Sequence, residues 1–301
     1  MKITLGDIVF GCGSTGGGGG SVSSSHPLPN GIKFVGSTWE TFDCGKYDWS
    51  QIYDASEMFS QCANLKRIDN FPKNEINGCV DMFNGCSALE SIPNGINLKP
   101  YYTIERMFKN CTSLTEIPYF DTSKVYSFSE AFNSCSKLTG FPELNLSKGT
   151  NFSYAWGSCS SLTEFPVVDL SNGTNFSYAW QQCYSLTTFP AIDLSKGTNF
   201  NSAWENCKAL TSMPALDLSS GTNFGYAWMY CHNLTNLGGF GAISANFDLS
   251  SCTKLTVESL MNVINQAATV TGKTMTLGSD NLAKLTDEQK SVATSKGWTL
   301  A

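Results

Sequence analysis

Eight cysteines, Cys62, Cys86, Cys111, Cys135, Cys159, Cys183, Cys207 and Cys231, recur every 24 residues, with one interval of 25. Each stands in the same text: an aromatic residue three positions before it, a leucine three after, then an apolar residue that proline follows in most copies. Such a period is the mark of a solenoid, because a coil this small cannot bury its apolar side alone and needs its neighbours to complete an interior. The chain is expected to form an extended surface and not a pocket.

At 301 residues a globular chain suggests about two domains, but a repeat array of that length makes one elongated body. A net charge of −6 with 15% charged residues leaves no basic stripe for phosphate contacts, so nucleic acid is not an expected partner. All apolar runs are short, and no membrane insertion is expected.

Residues 150–169 show how one coil reads. After a Thr-Asn corner, the spacing of Phe152, Ala155, Trp156 and Cys159 suits one face of a helical or 3-10 segment. Leu162 and Phe165 follow, and the alternation Val168-Asp169-Leu170 predicts one or two very short strands per coil. Pro166, Pro190 and Pro214 lack an amide proton, so each marks where the ladder between coils ends or bends. The glycine of SNGTN, SKGTN and SSGTN is expected to let the backbone reverse.

Equivalent cysteines on parallel coils rarely take the geometry of a disulfide, and a one-dimensional row without a Cys-x-x-Cys pair does not make a tetrahedral metal site. They are expected to be free, buried, small apolar side chains, assembled in a reducing cytoplasm. Cys12, Cys44, Cys79 and Cys252 lie off the spacing, and Cys252 reads as a degenerate last rung.

Residues 1–12 predict a short docking strand, with Ile3, Leu5, Ile8 and Phe10 as the candidates that meet another protein's sheet edge. A lipoprotein-like box at Val9–Cys12 leaves lipidation of Cys12 open, although Asp7 and the brevity of the apolar stretch argue against a secretory signal. Residues 13–30 read as a Gly/Ser-rich linker. Residues 31–54 form the N-terminal cap, with Trp39, Phe42, Tyr47 and Trp49 over the open end, and residues 55–252 form the solenoid. Residues 253–301 predict a helix-strand-helix-strand cap: VESLMNVINQAA, Lys273 to Leu277, a capping box of Thr286 with Gln289, and a stop at Gly297 before Trp298.

The segments MFSQCANLKRI from Met58, MFNGCSALESIP from Met82, MFKNCTSLTEIP from Met107 and AFNSCSKLTGFP from Ala131 resemble the BspA-like leucine-rich-repeat family, over about residues 55–255. From Trp156 onward tryptophan replaces the family's phenylalanine, and a proline with two further residues lengthens the strand region. The resemblance implies a leucine-rich-repeat solenoid, α/β or mainly β, with short parallel strands in each coil and a small α/β C-terminal cap. It also implies non-enzymatic adhesion or recognition, on bacterial surfaces, in some protists, or in virions of phages that infect gut bacteria. Two placements follow from it. One is a virion component in multiple copies, docked on other virion proteins and contacting a host-surface glycan or protein. The other is a cell-surface or secreted bacterial adhesin.

No catalytic, cofactor-binding or metal-binding residues emerge. His26 and His232 recur in no constellation, and Glu116, Glu164, Asp169, Asp193 and Asp217 fall on repeat positions, as a solvated or corner-capping ladder does. What varies is the outward face. Tyr154, Tyr178, Ser202 and Tyr226 make one row; Glu116, Gly140, Glu164, Thr188, Ser212 and Asn236 make another. From these, Tyr154, Tyr178, Tyr226, Glu164, Thr188 and Ser212 are the ligand-surface candidates, tyrosine giving large contact area at low entropic cost. Packing of Tyr154 and its siblings against the convex side is the open alternative.

Overall fold

The computed structural model describes residues 2–5, 8–11, 27–93, 96–141 and 144–301. Most of the expected linker, and Cys12 with its possible lipid, fall outside the described residues. The single docking strand is corrected to a hairpin: β1 (Lys2–Leu5) pairs antiparallel with β2 (Ile8–Gly11). The register sets Ile3 opposite Phe10 and Leu5 opposite Ile8.

The cap also starts earlier than the assigned boundary. Leu28 is buried and its amide donates to the Asp48 carbonyl, while Asn30 Oδ1 accepts from the amides of Tyr53 and Asp54. Residues 27–30 therefore belong to a first coil and not to the linker. Phe34 occupies the place that Phe59 holds one coil later, and their rings lie 5.8 Å apart. β3 (Thr41–Asp43) continues the stack by pairing in parallel with β4 (Arg67–Asp69). Phe42 and Trp49 are buried, whereas Trp39 and Tyr47 are only half-buried against the core.

The aromatic segment of each coil is not helical. Ala155, Gly157 and Cys159 donate to the carbonyls of Phe152, Tyr154 and Trp156, which closes three overlapping turns. The amides between them, of Phe152, Tyr154, Trp156 and Ser158, donate instead to Asn175, Ser177, Ala179 and Gln181 of the next coil. A helix would return every amide to its own coil. Sharing alternate amides with a neighbour requires a left-handed residue in two of the turns, and Tyr154 (φ 54°) and Ser158 (φ 61°) supply it.

The cysteine row has a role beyond apolar filling. The Trp156 carbonyl accepts the Cys159 amide from its own coil and the Cys183 thiol from the next, at 3.2 and 3.3 Å. The same double bond satisfies the carbonyls of Phe59, Phe83, Phe108, Phe132, Trp180 and Trp204. Alanine would fill the space and leave that lone pair unmet, which explains why a small residue with a donor recurs. All eleven described cysteines are free and buried.

Around the thiols, side chains of like kind stack coil on coil. Phe152, Phe176, Phe200 and Phe224 follow one another at 5.5, 5.5 and 5.4 Å, and Trp156, Trp180, Trp204 and Trp228 at 5.6, 5.4 and 5.7 Å. Burying each such side chain contributes about 2–3 kcal/mol. The four indole N–H groups have no hydrogen-bond partner, so these tryptophans act by shape and area alone.

Gly149, Gly173, Gly197 and Gly221 do not need positive φ, contrary to the expectation of a reversal that only glycine permits. They are glycines because a phenylalanine ring comes too near: a Cβ on Gly197 would lie 2.2 Å from Phe200 Cζ and 3.0 Å from the Leu194 carbonyl. Gly197→Ala is expected to lower stability by about 1–3 kcal/mol. Gly140→Ala, where a Cβ meets nothing within 4 Å, should change it far less. Urea midpoints of the two variants provide the comparison.

Regular strand is sparse. β5 (Tyr102–Thr103) pairs with β6 (Val125–Ser127), and β7 (Ser212–Met213) with β8 (Asn236–Leu237), both in parallel. Elsewhere single bridges do the same work, as in Glu164–Thr188–Ser212 and Asn151–Asn175–Asn199–Asn223. Pro214 follows β7 directly, at the end of its ladder.

The C-terminal unit joins the stack through its sheet. β9 (Phe247–Asp248) comes from the last coil, α1 (Val257–Gln266) follows with Thr256 as N-cap, and β10 (Lys273–Thr276) pairs in parallel with β9. α2 (Gly278–Leu282), a short helix that local signals do not announce, leads to α3 (Asp287–Ser295), whose Thr286/Gln289 capping box is formed. β11 (Trp298–Leu300) closes the sheet in the order β11-β10-β9. Lys296 Nζ donates to the carbonyls of Ile264, Asn265 and Ala267, completing the C-terminal end of α1.

Candidate functional site

Each coil aims its outward side chains from the left-handed residues of its turns. Glu57, Asp81, Arg106, Glu130, Tyr154, Tyr178, Ser202 and Tyr226 form one such row, all with φ between 53° and 59°. A side chain other than glycine or asparagine there costs about 1 kcal/mol or more. The chain nevertheless places tyrosine in this row three times.

The first half of the row is ionic. Arg106 Nη2 meets Asp81 Oδ2 at 2.9 Å, and Lys109 pairs with Glu130. Beyond Glu130 it turns aromatic. The rings of Tyr154 and Tyr178 stack with centroids 4.2 Å apart and planes within 4°. Burial, followed by the neighbouring Tyr178 and the charges of Glu130 and Glu205, pushes the Tyr154 hydroxyl up to about 12. Ser202 is buried and interrupts the row, so Tyr226, 63% exposed, stands apart from the pair. Glu164, Thr188 and Ser212 lie together on the other ladder. Among the described residues no hydrogen bond or ring contact joins that ladder to the tyrosines.

Three tyrosines that repeat logic passes over make a further cluster. Tyr101, Tyr102 and Tyr126 are 40%, 70% and 43% exposed, and Lys124 Nζ sits 4.2 Å from the centre of the Tyr101 ring. The signal that finds them is the one interval of 25 residues, between Cys86 and Cys111, which contains a Tyr-Tyr doublet. Among the described residues no group of three or more His, Cys, Asp or Glu is placed to hold a metal ion, and no helix is long and apolar enough to cross a membrane.

The family model described as "Mycoplasma protein of unknown function, DUF285" matches residues 33–143 and 102–215, together more than half of the chain. No curated protein matches. Among solved structures, an internalin from Listeria monocytogenes is similar at 14% identity, covering 79% of this chain and 74% of that one, with a TM-score of 0.30. A leucine-rich-repeat protein from Bacteroides ovatus is similar at 15% identity, covering 100% and 90%, with a TM-score of 0.31. Both superpose loosely. With coils stacked through a leucine, cysteine and aromatic interior and a family model spanning most of them, the chain belongs to the DUF285 family and is a BspA-like leucine-rich-repeat protein.

Proposed function

We propose that this protein is a non-enzymatic recognition module, carried on a bacterial surface, that holds its ligand on the outer side of the coils. The observation that carries this reading is how the chain sorts its aromatic side chains. Of the eleven large hydrophobic residues exposed among the described residues, eight are tyrosines and none is phenylalanine or tryptophan. Rigid rings with a hydroxyl edge are the side chains that dominate binding surfaces, where they add area at little entropic cost.

A bacterial carrier is supported by the family, described from mycoplasmas. The virion placement rests on the likeness of the repeats alone. In either setting the hairpin of residues 2–11 is the proposed means of attachment.

Adhesion of the full chain to cultured host cells, compared with a variant in which Tyr154, Tyr178 and Tyr226 are all changed to serine, tests the reading. Serine already fills this position at Ser202, so the fold should survive. Cell binding is expected to fall at least tenfold. Undiminished binding by the folded triple variant would remove these tyrosines from the ligand surface.

A further inference from the structure

The single 25-residue interval places its additional residue at one corner of the stack. Tyr101 donates its amide to the Asn77 carbonyl, as Thr150 does two coils further on to the Tyr126 carbonyl. Counting by the 24-residue period, Asn77 leads to Tyr101 and Tyr126 leads back to Tyr102, so two tyrosines share a place that other coils fill with one residue. Tyr102 takes φ 66°, and the pairing of β5 with β6 slips register between Tyr102 and Thr103. A bulge of this kind turns a side chain away from the regular ladder. The neighbouring coils close the same corner without it, so the insertion adds ring surface that the fold does not require.

The three rings are neighbours on the outer surface. Tyr101 and Tyr102 lie 6.3 Å apart with their planes tilted by 48°, and Tyr102 and Tyr126 lie 6.2 Å apart with planes within 23°. The charges beside them balance in number, two cations against two carboxylates, although only one pair is in contact. Lys99 pairs with Glu75 at 2.8 Å, Lys124 donates to the Tyr101 hydroxyl at 2.7 Å, and Asp121 accepts the Ser123 amide. The three exposed large hydrophobics that are not tyrosine, Val35, Val167 and Val257, belong to other parts of the chain, so the exposed apolar surface here is ring surface alone. A tyrosine face carries negative potential that attracts polarised C–H groups, and its hydroxyl edge bonds to other hydroxyls. A sugar ring offers both.

We propose that Tyr101, Tyr102 and Tyr126 form a stacking platform for a neutral oligosaccharide chain, an assignment that rests on the recognition function above and names its ligand class. The test uses the full chain on an array of neutral gluco-, galacto- and manno-oligosaccharides, with uronic-acid-containing chains as a second arm. The variant is Tyr102→Gly with Tyr126→Thr: glycine suits the left-handed backbone at position 102, and threonine is what Thr150 places at this corner. Its fold is checked by circular dichroism.

The expected result is binding to at least one neutral oligosaccharide, weakened tenfold or more in the double variant and kept in Val167→Ser, a change at an exposed position away from the tyrosines. No neutral ligand, binding confined to uronic-acid chains, or equal binding by the folded double variant would overturn the platform. Adhesion to host cells that survives periodate oxidation of their carbohydrate would overturn the sugar assignment while leaving the recognition function in place.

Discussion

Titration from about pH 8 to about pH 10.5 is expected to unfold the protein cooperatively, at a lower pH than most folds of this size. The cause is the thiol row. Burial pushes the thiols of all eleven described cysteines upward, with Cys44, Cys159 and Cys231 reaching about 12. In the unfolded chain the same groups ionise near ~8.5. Below that value both states keep their protons and stability is unaffected by pH. Above it the unfolded chain releases protons that the folded chain retains, so stability falls by ~1.4 kcal/mol per pH unit for each thiol. A domain holds about 5–15 kcal/mol in all, and several thiols acting together exhaust that within one to two units, about pH 9.5–10.5. Near-ultraviolet circular dichroism against pH should show the loss, with recovery on prompt neutralisation under reducing conditions. A native signal that persists to about pH 11 would mean that the thiols are not held in a dry interior.

Trp180→Ala is expected to cost ~3–5 kcal/mol, the range for emptying a large aromatic site. Trp180 is fully buried between Trp156 and Trp204 and meets the rings of Phe165 and Phe189 edge-on at 5.4 and 4.9 Å. Trp180→Phe should cost only about 1–2 kcal/mol. The indole N–H forms no bond that phenylalanine would lose, and Phe59, Phe83, Phe108 and Phe132 stand at the same place in earlier coils. Urea denaturation of both variants measures the difference. Equal losses would show that the N–H group matters and that stacking is not the source of stability.

The repeat and its interior were legible because burial imposes one residue type per coil position, so the period of the text is the period of the stack. The C-terminal helices were legible because their caps are local: Thr256 and Thr286 each sit beside the amide they accept from. The turns were not. The spacing of Phe152, Ala155, Trp156 and Cys159 fits a helix face equally well, and the usual glycine or asparagine cue stands at the left-handed positions of only some coils, as at Gly85, Asn110 and Asn206, with tyrosine and serine at Tyr154 and Ser158. Spacing also reports that a cysteine is inside, but not that its thiol completes a carbonyl one coil back. Of the candidate surface, the Tyr154–Tyr178 pair was visible as a row, whereas Tyr101 and Tyr102 fall in the one 25-residue interval and so drop out of a comparison made position by position.

Removing residues 175–198, one full period, joins Thr174 to Asn199 and leaves the local text Thr-Asn-Phe unchanged. If coils are interchangeable layers over a shared interior, this shortened chain should keep its near-ultraviolet circular dichroism and unfold in one cooperative thermal transition. Removing only residues 175–186, half a period, should break the single transition and weaken the signal, because the coil at the junction is left half-built and the stacks on either side no longer meet in register. Cooperative unfolding after the half-period deletion, or collapse after the full-period one, would contradict the stacked-coil account.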